Sequence, residues 1–312
     1  MEDYHRGYIL QHVLEGAGLR DIADQIKSIT PAEAMEDYEK LRGLKCGSIN
    51  TKSVVGNRAM DIFFFKHRLA TKAKGGESFY EWVKGNPLKT PSAKRLYEYN
   101  LAHGKPPAVA KYDVFRLYKG SINAFKPIIA RDIFCKYHPR TILDFSAGWG
   151  GRCLASMSLD INYIGFDTNT SLKKAYKYMI KTYPHDCKVQ IHFQDSSKVD
   201  YSKYTYDFVF TSPPYYQKTK HTEGYENMPQ YTSRDDFNER FFFPVVRNTM
   251  RNLSAGGHYA LNIPMDMYED VKKVLGACDT KMPLYISKRF VGQEGGYKEF
   301  IYVWNKKTPK WS

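Results

Sequence analysis

Thr141-Ile142-Leu143-Asp144-Phe145 runs directly into Ser146-Ala147-Gly148-Trp149-Gly150-Gly151-Arg152. A short apolar strand ends on an acid and turns, through glycines, into a helix. Glycines at such a turn let the backbone approach a ligand with no Cβ in the way. The spacing is D-x-x-x-G-x-G. It lacks the third glycine of a dinucleotide fingerprint, and no Gly-Lys-Ser/Thr follows, so neither that site nor a phosphate-binding P-loop is indicated. Outward from this turn, short apolar runs recur at Ile161–Phe166, Val189–Phe193, Phe208–Phe210 and His258–Ile263. Helical stretches separate them, around 150–159, 170–182, 235–253 and 266–277. Together with Thr141–Phe145 these runs predict an α/β fold, a doubly wound and mostly parallel sheet. Leu284–Val291 and Lys298–Trp304 are joined only by Gly292–Tyr297, too short for a crossover helix, and are expected to pair as a C-terminal antiparallel hairpin.

Upstream the pattern is helical. Ile22, Ile26 and Ile29 repeat at helical spacing, and Thr30-Pro31-Ala32-Glu33 is a capping box with proline at the first helical position. Ser78-Phe79-Tyr80-Glu81 and Thr90-Pro91-Ser92-Ala93 start further helices, and His103-Gly104-Lys105-Pro106-Pro107 breaks the run. The expected organisation is a mainly helical N-terminal region, 1–110, and a catalytic domain, 111–312. Charge follows it: residues 1–44 carry net −4, 45–110 net +8 and 111–312 net +10.

The 312 residues are 42% hydrophobic and 26% charged, enough apolar material for a large core. Apolar runs such as Ile62–Phe65 fall far short of the roughly 18 residues that span a bilayer, and Met1-Glu2-Asp3 opens with acids rather than a basic signal-like segment. An intracellular, cytoplasmic or nuclear, protein is expected, neither secreted nor membrane-embedded. The net charge of +14 favours a polyanionic partner, nucleic acid first. Cys46, Cys135, Cys153, Cys187 and Cys278 stand singly, without C-x-x-C pairs. They are expected to be reduced thiols, in neither a zinc site nor a disulfide.

Chemistry concentrates at the ends of the expected strands. Asp144 ends the first, Asp167 the second and Asp195-Ser196 the third, so that one sheet edge gathers polar groups suited to a nucleoside. The fourth ends in Thr211-Ser212-Pro213-Pro214-Tyr215. Its two prolines remove backbone donors and stiffen the turn, leaving carbonyl acceptors beside an aromatic ring.

In these motifs the chain, over about 111–312, resembles the S-adenosylmethionine-dependent amino-methyltransferases of the class I, Rossmann-like fold. Asp144 through Gly150 is similar to motif I, Asp167 to the acidic end of motif II, Asp195-Ser196 to motif III, and Ser212–Tyr215 to motif IV, (Asp/Asn/Ser)-Pro-Pro-aromatic. Asn252–His258 resembles the glycine turn before strand five, and Tyr118-Lys119-Gly120-Ser121 resembles motif X. The resemblance implies that S-adenosylmethionine is the cofactor, with no metal. Asp167 would take the ribose hydroxyls and Asp195 the adenine amine. The backbone around Ser146, Gly148 and Gly150, with Gly120 and Ser121, would hold the methionine portion, and Asp144 and Ser196, as members of motifs I and III, would also belong to the cofactor site. Ser212, Pro213, Pro214 and Tyr215 would be catalytic, with the target base stacked on Tyr215. The implied substrate is the exocyclic amine of a DNA base. Serine in motif IV is commoner among cytosine-N4 enzymes, which favours cytosine, whereas such enzymes often carry the opposite of the order X, I, IV, so cytosine and adenine both stay open. An RNA base, a protein glutamine, or a non-catalytic nucleic-acid-binding subunit of the same fold are the alternatives.

Two further segments are read toward the substrate. Tyr216 through Arg234 interleaves aromatic and basic residues, as a lid over a nucleic-acid strand would. Phe63–Arg68 and the Lys and Arg at 72, 74, 84, 89, 94 and 95 form a candidate target-recognition surface. Beyond them, Phe237, Phe241 and Val245 are expected to be core, on a helix kinked at Pro244.

Overall fold

The computed structural model describes residues 19–47, 52–72, 76–85, 88–120, 122–216, 231–284 and 299–308. Its centre is a seven-stranded sheet: β1 Thr141–Asp144, β2 Asn162–Asp167, β3 Val189–Phe193, β4 Phe208–Thr211, β5 His258–Ile263, β6 Thr280–Leu284 and β7 Glu299–Asn305. Their spatial order is β3-β2-β1-β4-β5-β7-β6. β1 to β5 pair in parallel, while β7 runs antiparallel to both β5 and β6. The order reverses between β1 and β4, which opens a crevice above their carboxyl ends. The doubly wound parallel sheet with an antiparallel C-terminal pair is therefore present. Among the described residues the strand that pairs with β7 at this edge is Thr280–Leu284; residues 285–298, which hold the rest of the expected run Leu284–Val291 and its glycine loop, lie outside the described residues.

Alternation along the strands builds two cores, one per face of the sheet. Ile142, Phe208, Phe210, Ala260, Ile301 and Val303 point to one, and Leu143, Val209, Tyr259, Leu261, Tyr302 and Trp304 to the other. The second face is covered by helix residues Phe237, Phe242, Val245 and Val246, with Met267 and Val271. The stripe expected to be core is core. Between Arg234 and Asn252 the helix is interrupted by a π-turn at Asn238–Phe242, immediately before Pro244. The wider turn accommodates a ring that cannot donate a helical hydrogen bond.

The first face is covered by helices α2 Pro31–Gly43, α3 Asn57–Ala70, α7 Pro127–Tyr137, α8 Gly151–Met157 and α9 Lys173–Thr182. The capping box holds: Glu33 N–H donates to Thr30 Oγ1, and Thr30 N–H to the Glu33 carboxylate. Tyr38 stacks on Tyr183 at 4.4 Å, a pair worth about 0.5–1.5 kcal/mol beyond its burial, and its hydroxyl donates to Pro184 O. Tyr183 in turn donates to Ala59 O. Residues N-terminal to 111 thus share the sheet's own core. A satellite core joins α1 Leu19–Ile26, α4 Phe79–Lys84, α5 Pro91–Ala102 and α6 Pro107–Tyr118 around Phe79, Trp82 and Phe115. The 110/111 division falls inside α6.

The cysteines differ from expectation. Cys46, on the connector after α2, is bonded to Cys135 on α7, while Cys153, Cys187 and Cys278 are free thiols. Sequence spacing does not show this pairing because the two lie 89 positions apart and only packing of the connector against α7 brings them together. Among the described residues no helix is long and apolar enough to cross a membrane.

Candidate active site

The turn after β1 owes its shape to its glycines. Gly148 and Gly150 both have positive φ, +60° and +79°, where a side chain is strained. A Cβ on Gly150 would also meet the Phe64 ring of α3 at 2.5 Å, and one on Gly151 would meet Phe125 O at 2.0 Å. The turn is therefore backed by the N-terminal helices and sealed on one side by the segment before α7.

Beneath it lies a buried polar network. Arg152 Nε donates to Asp144 Oδ2 at 2.6 Å and its Nη2 to Ser146 O at 2.5 Å. Asp144 also accepts the Tyr163 hydroxyl at 2.6 Å and Ser146 N–H at 3.1 Å. Burial works to strip the guanidinium of its proton, but the Asp144 carboxylate outweighs it and holds Arg152 charged. The Arg152 guanidinium lies over the rings of Phe125 and Phe210. Asp167 fixes the turn from the next strand, accepting Gly148 N–H at 2.7 Å and Asn169 N–H at 2.8 Å. Burial pushes its carboxyl up, and these two N–H groups partly offset the shift. Tyr176 donates to Gly148 O, and Ser196 Oγ to Phe145 O at 2.5 Å.

Above the turn is a cavity of about 350 Å³. Ser146, Gly148, Asp167, Asp195, Ser196 and the whole of Ser212–Tyr215 line it, so four strand ends meet at one void. Gly120, Asp144 and Gly150 are not among its lining residues. Asp144 is fully buried behind the turn, engaged as described, and Gly150 faces Phe64. Ser121 lies outside the described residues. From the segment that follows, Asn123, Ala124, Phe125 and Lys126 line the wall. Lys126 Nζ donates to Ser53 O at 3.1 Å, and burial lowers its pKa. Trp149 also lines the cavity, and its buried indole N–H has no hydrogen-bond partner among the described residues.

Sequence reading missed Asn262 on β5. Register places Leu261 beside Thr211, so Asn262 stands level with Ser212. The Tyr215 hydroxyl donates to Asn262 O at 3.0 Å. With that proton committed, the 3.1 Å approach of Ser212 Oγ to Tyr215 Oη has serine as donor. Asn262 Nδ2 donates to Ser212 Oγ and to Tyr215 Oη, both at 3.2 Å. Among the described residues one Ser212 lone pair is left, an acceptor for an incoming N–H. The signal in the sequence is slight, a polar residue two places from the end of an apolar strand.

Of the expected lid, residues 217–230 lie outside the described residues. At its flanks Tyr216 stacks on Phe237, and Tyr231 lines the cavity against Phe237 under the Arg240 guanidinium.

No protein-family model matches the sequence, and no curated protein is similar to it. Solved structures are. A putative class I S-adenosylmethionine-dependent methyltransferase from Listeria monocytogenes aligns over 90% of this chain and 90% of its own, with 14% identity and a TM-score of 0.44. TrmN from Thermus thermophilus aligns over 59% of this chain at 14% identity and a TM-score of 0.41, and the chain spans half of that protein's length, 50%. An rRNA methylase from Streptococcus thermophilus is covered completely, 100%, by 60% of this chain, at 12% identity and a TM-score of 0.37. The likeness is one of architecture; in this chain the fold is the doubly wound, Rossmann-like sheet with the reversed final pair described above.

Proposed function

We propose that the protein is an S-adenosylmethionine-dependent methyltransferase acting on the exocyclic amine of a nucleic-acid base, with DNA ahead of RNA. The observation that carries this reading is that the Ser212-Pro213-Pro214-Tyr215 corner and the glycine turn line one cavity. The residues suit the cofactor. Asp167 and Asp195, at the ends of β2 and β3, offer carboxylate acceptors to the ribose and the adenine amine. The glycine turn leaves backbone at the surface of the void. Bound S-adenosylmethionine supplies an electrophilic methyl group on a sulfonium.

The chain's own part is alignment. An exocyclic amine is a poor nucleophile because its lone pair is delocalised into the ring. Ser212 Oγ, which donates its own proton to Tyr215 and is held in place by Asn262, and the Pro213 carbonyl would take the two N–H groups. The nitrogen lone pair then points out of the ring plane. Holding it there is worth several kcal/mol of barrier. Tyr215, tethered through its hydroxyl, would present its ring to a flipped-out base, an interaction of about 1–3 kcal/mol.

The exposed basic side chains of Lys84, Lys89, Lys94 and Arg95 would form the phosphate-binding surface, whereas Phe63–Phe65 are core and Arg68 is buried against Asp61, so that part of the expected surface does not face a nucleic acid. Incubation with labelled cofactor and DNA, RNA or protein, followed by digestion to nucleosides, tests the substrate class. Label in a base amine that disappears in Ser212→Ala/Tyr215→Ala is expected; label that persists in the double variant removes the assigned site. Charge reversal at Lys94 and Arg95 should weaken DNA binding and flatten its salt slope by roughly one for each phosphate no longer neutralised, and unchanged binding removes that surface from the assignment.

A further inference from the structure

The Cys46–Cys135 bridge has two unequal ends. Cys46 is exposed on the connector after α2, whereas Cys135 is 6% exposed within α7. One turn before Cys135, the buried guanidinium of Arg131 donates from Nη1 to Cys135 Sγ at 3.7 Å, and from Nη2 to Leu44 O and, at 3.5 Å, to Arg42 O. The same connector is fastened to the other end of α7. Gly56 packs on Pro127 so closely that a Cβ would lie 2.8 Å from it, and Ser53 O accepts from Lys126, a wall residue of the cavity.

We propose that this bridge is a thiol-reducible latch that sets the affinity of the cavity for its ligand. The reductant is a low-molecular-weight thiol such as glutathione. Its thiolate attacks the exposed Cys46 Sγ and forms a mixed disulfide there. The electron pair of the broken S–S bond goes to Cys135 Sγ, where the Arg131 guanidinium stabilises the departing thiolate. A second thiolate attacks the external sulfur of the mixed disulfide and releases Cys46, leaving two protein thiols and one small-molecule disulfide. Glutathione disulfide reverses the sequence. Once open, the connector between α2 and α3 keeps its noncovalent contacts to α7 at Leu44, Ser53 and Gly56 but loses its covalent tie, which loosens the hold of Ser53 O on Lys126. The direction of attack follows from exposure: the reverse, at Cys135, would need a thiol to enter the core.

The affinity part rests on reading the cavity as a cofactor site, and the test keeps the two apart. The native full chain is incubated with millimolar glutathione, quenched with acid, alkylated and mapped by mass spectrometry. New label at Cys46 and Cys135 is expected, while the free thiols Cys187 and Cys278 label equally with and without glutathione. Melting without ligand should fall by about 5–10 °C on reduction. Calorimetry with S-adenosylmethionine should show Kd raised about three- to tenfold. Cys46→Ser should match the reduced protein in both readouts and ignore glutathione. Arg131→Met should slow label gain on the order of tenfold. No label gain in the native protein overturns the latch, as does label gain with melting unchanged. Unchanged Kd alongside label gain and lowered melting overturns its coupling to the cavity. No heat with the cofactor in either redox state overturns the cofactor reading instead, and label and melting then decide the latch alone.

Discussion

Asn262→Ala is the sharpest probe of the acceptor corner. The amide Nδ2 donates to Ser212 Oγ and Tyr215 Oη at 3.2 Å each, and Tyr215 is additionally anchored by the backbone of Asn262, which the substitution keeps. Two side-chain hydrogen bonds at roughly 0.5–1.5 kcal/mol each put the loss at about 1–3 kcal/mol. If that energy orients Ser212 toward the amine, the methyl-transfer step slows by roughly five- to 150-fold. The assay is single-turnover transfer at saturating cofactor, with cofactor Kd from calorimetry, expected to move less than about threefold. Asn262→Asp gives a second signature. An ionised carboxyl cannot donate to Ser212, but its protonated form can, so the variant's rate should rise as pH falls through the introduced group's pKa. A transfer rate within twofold of the unsubstituted protein in Asn262→Ala, or an Asn262→Asp rate that ignores pH, would refute the argument that Asn262 holds Ser212 in place.

Other predictions concern the scaffold of the site. Gly150→Ala places a Cβ at positive φ and 2.5 Å from the Phe64 ring, costing about 3 kcal/mol or more; a melting midpoint lowered by less than a few degrees would contradict the packing, and adding Phe64→Leu should recover part of the loss. Arg152→Met leaves the Asp144 carboxylate buried without its cation and should cost about 3–5 kcal/mol in denaturant unfolding, most of it restored in the Asp144→Asn/Arg152→Met pair. Burial, with Lys66 adding to it, depresses His67 to about 4 from 6.5. Between those values the unfolded chain binds a proton the folded chain refuses, so stability falls as pH drops from about 6.5 to 4, by up to about 2–3 kcal/mol. His67→Gln should flatten that limb of the stability profile, and an unchanged limb would exclude His67 as its source.

Much of the sheet is legible in the chain because burial on both faces forces near-continuous apolar strands, and glycine at positive φ leaves a visible mark. Thr141–Asp144, Phe208–Thr211 and His258–Ile263 are examples. Local chemistry is legible for the same reason: Thr30 with Glu33 and Ser78 with Glu81 act within one helical turn. Strand-end residues such as Asp167, Asp195 and Ser212 can be gathered at one edge from topology alone, since parallel strands present the same end.

What sequence could not decide depends on distant segments meeting in space. Asp144 and Asp167 read alike as strand-end acids, yet one is sealed under Arg152 and the other lines the void. Asn262 becomes part of the site only because β5 lies beside β4 in a register that sets it against Ser212. The basic helical segment does not stand apart, because Phe64 and Tyr38 are needed to cover one face of the sheet. Sequence carries the periodicities that local geometry imposes; the partner of a buried charge, an orphan amide or a cysteine is set by packing across the fold.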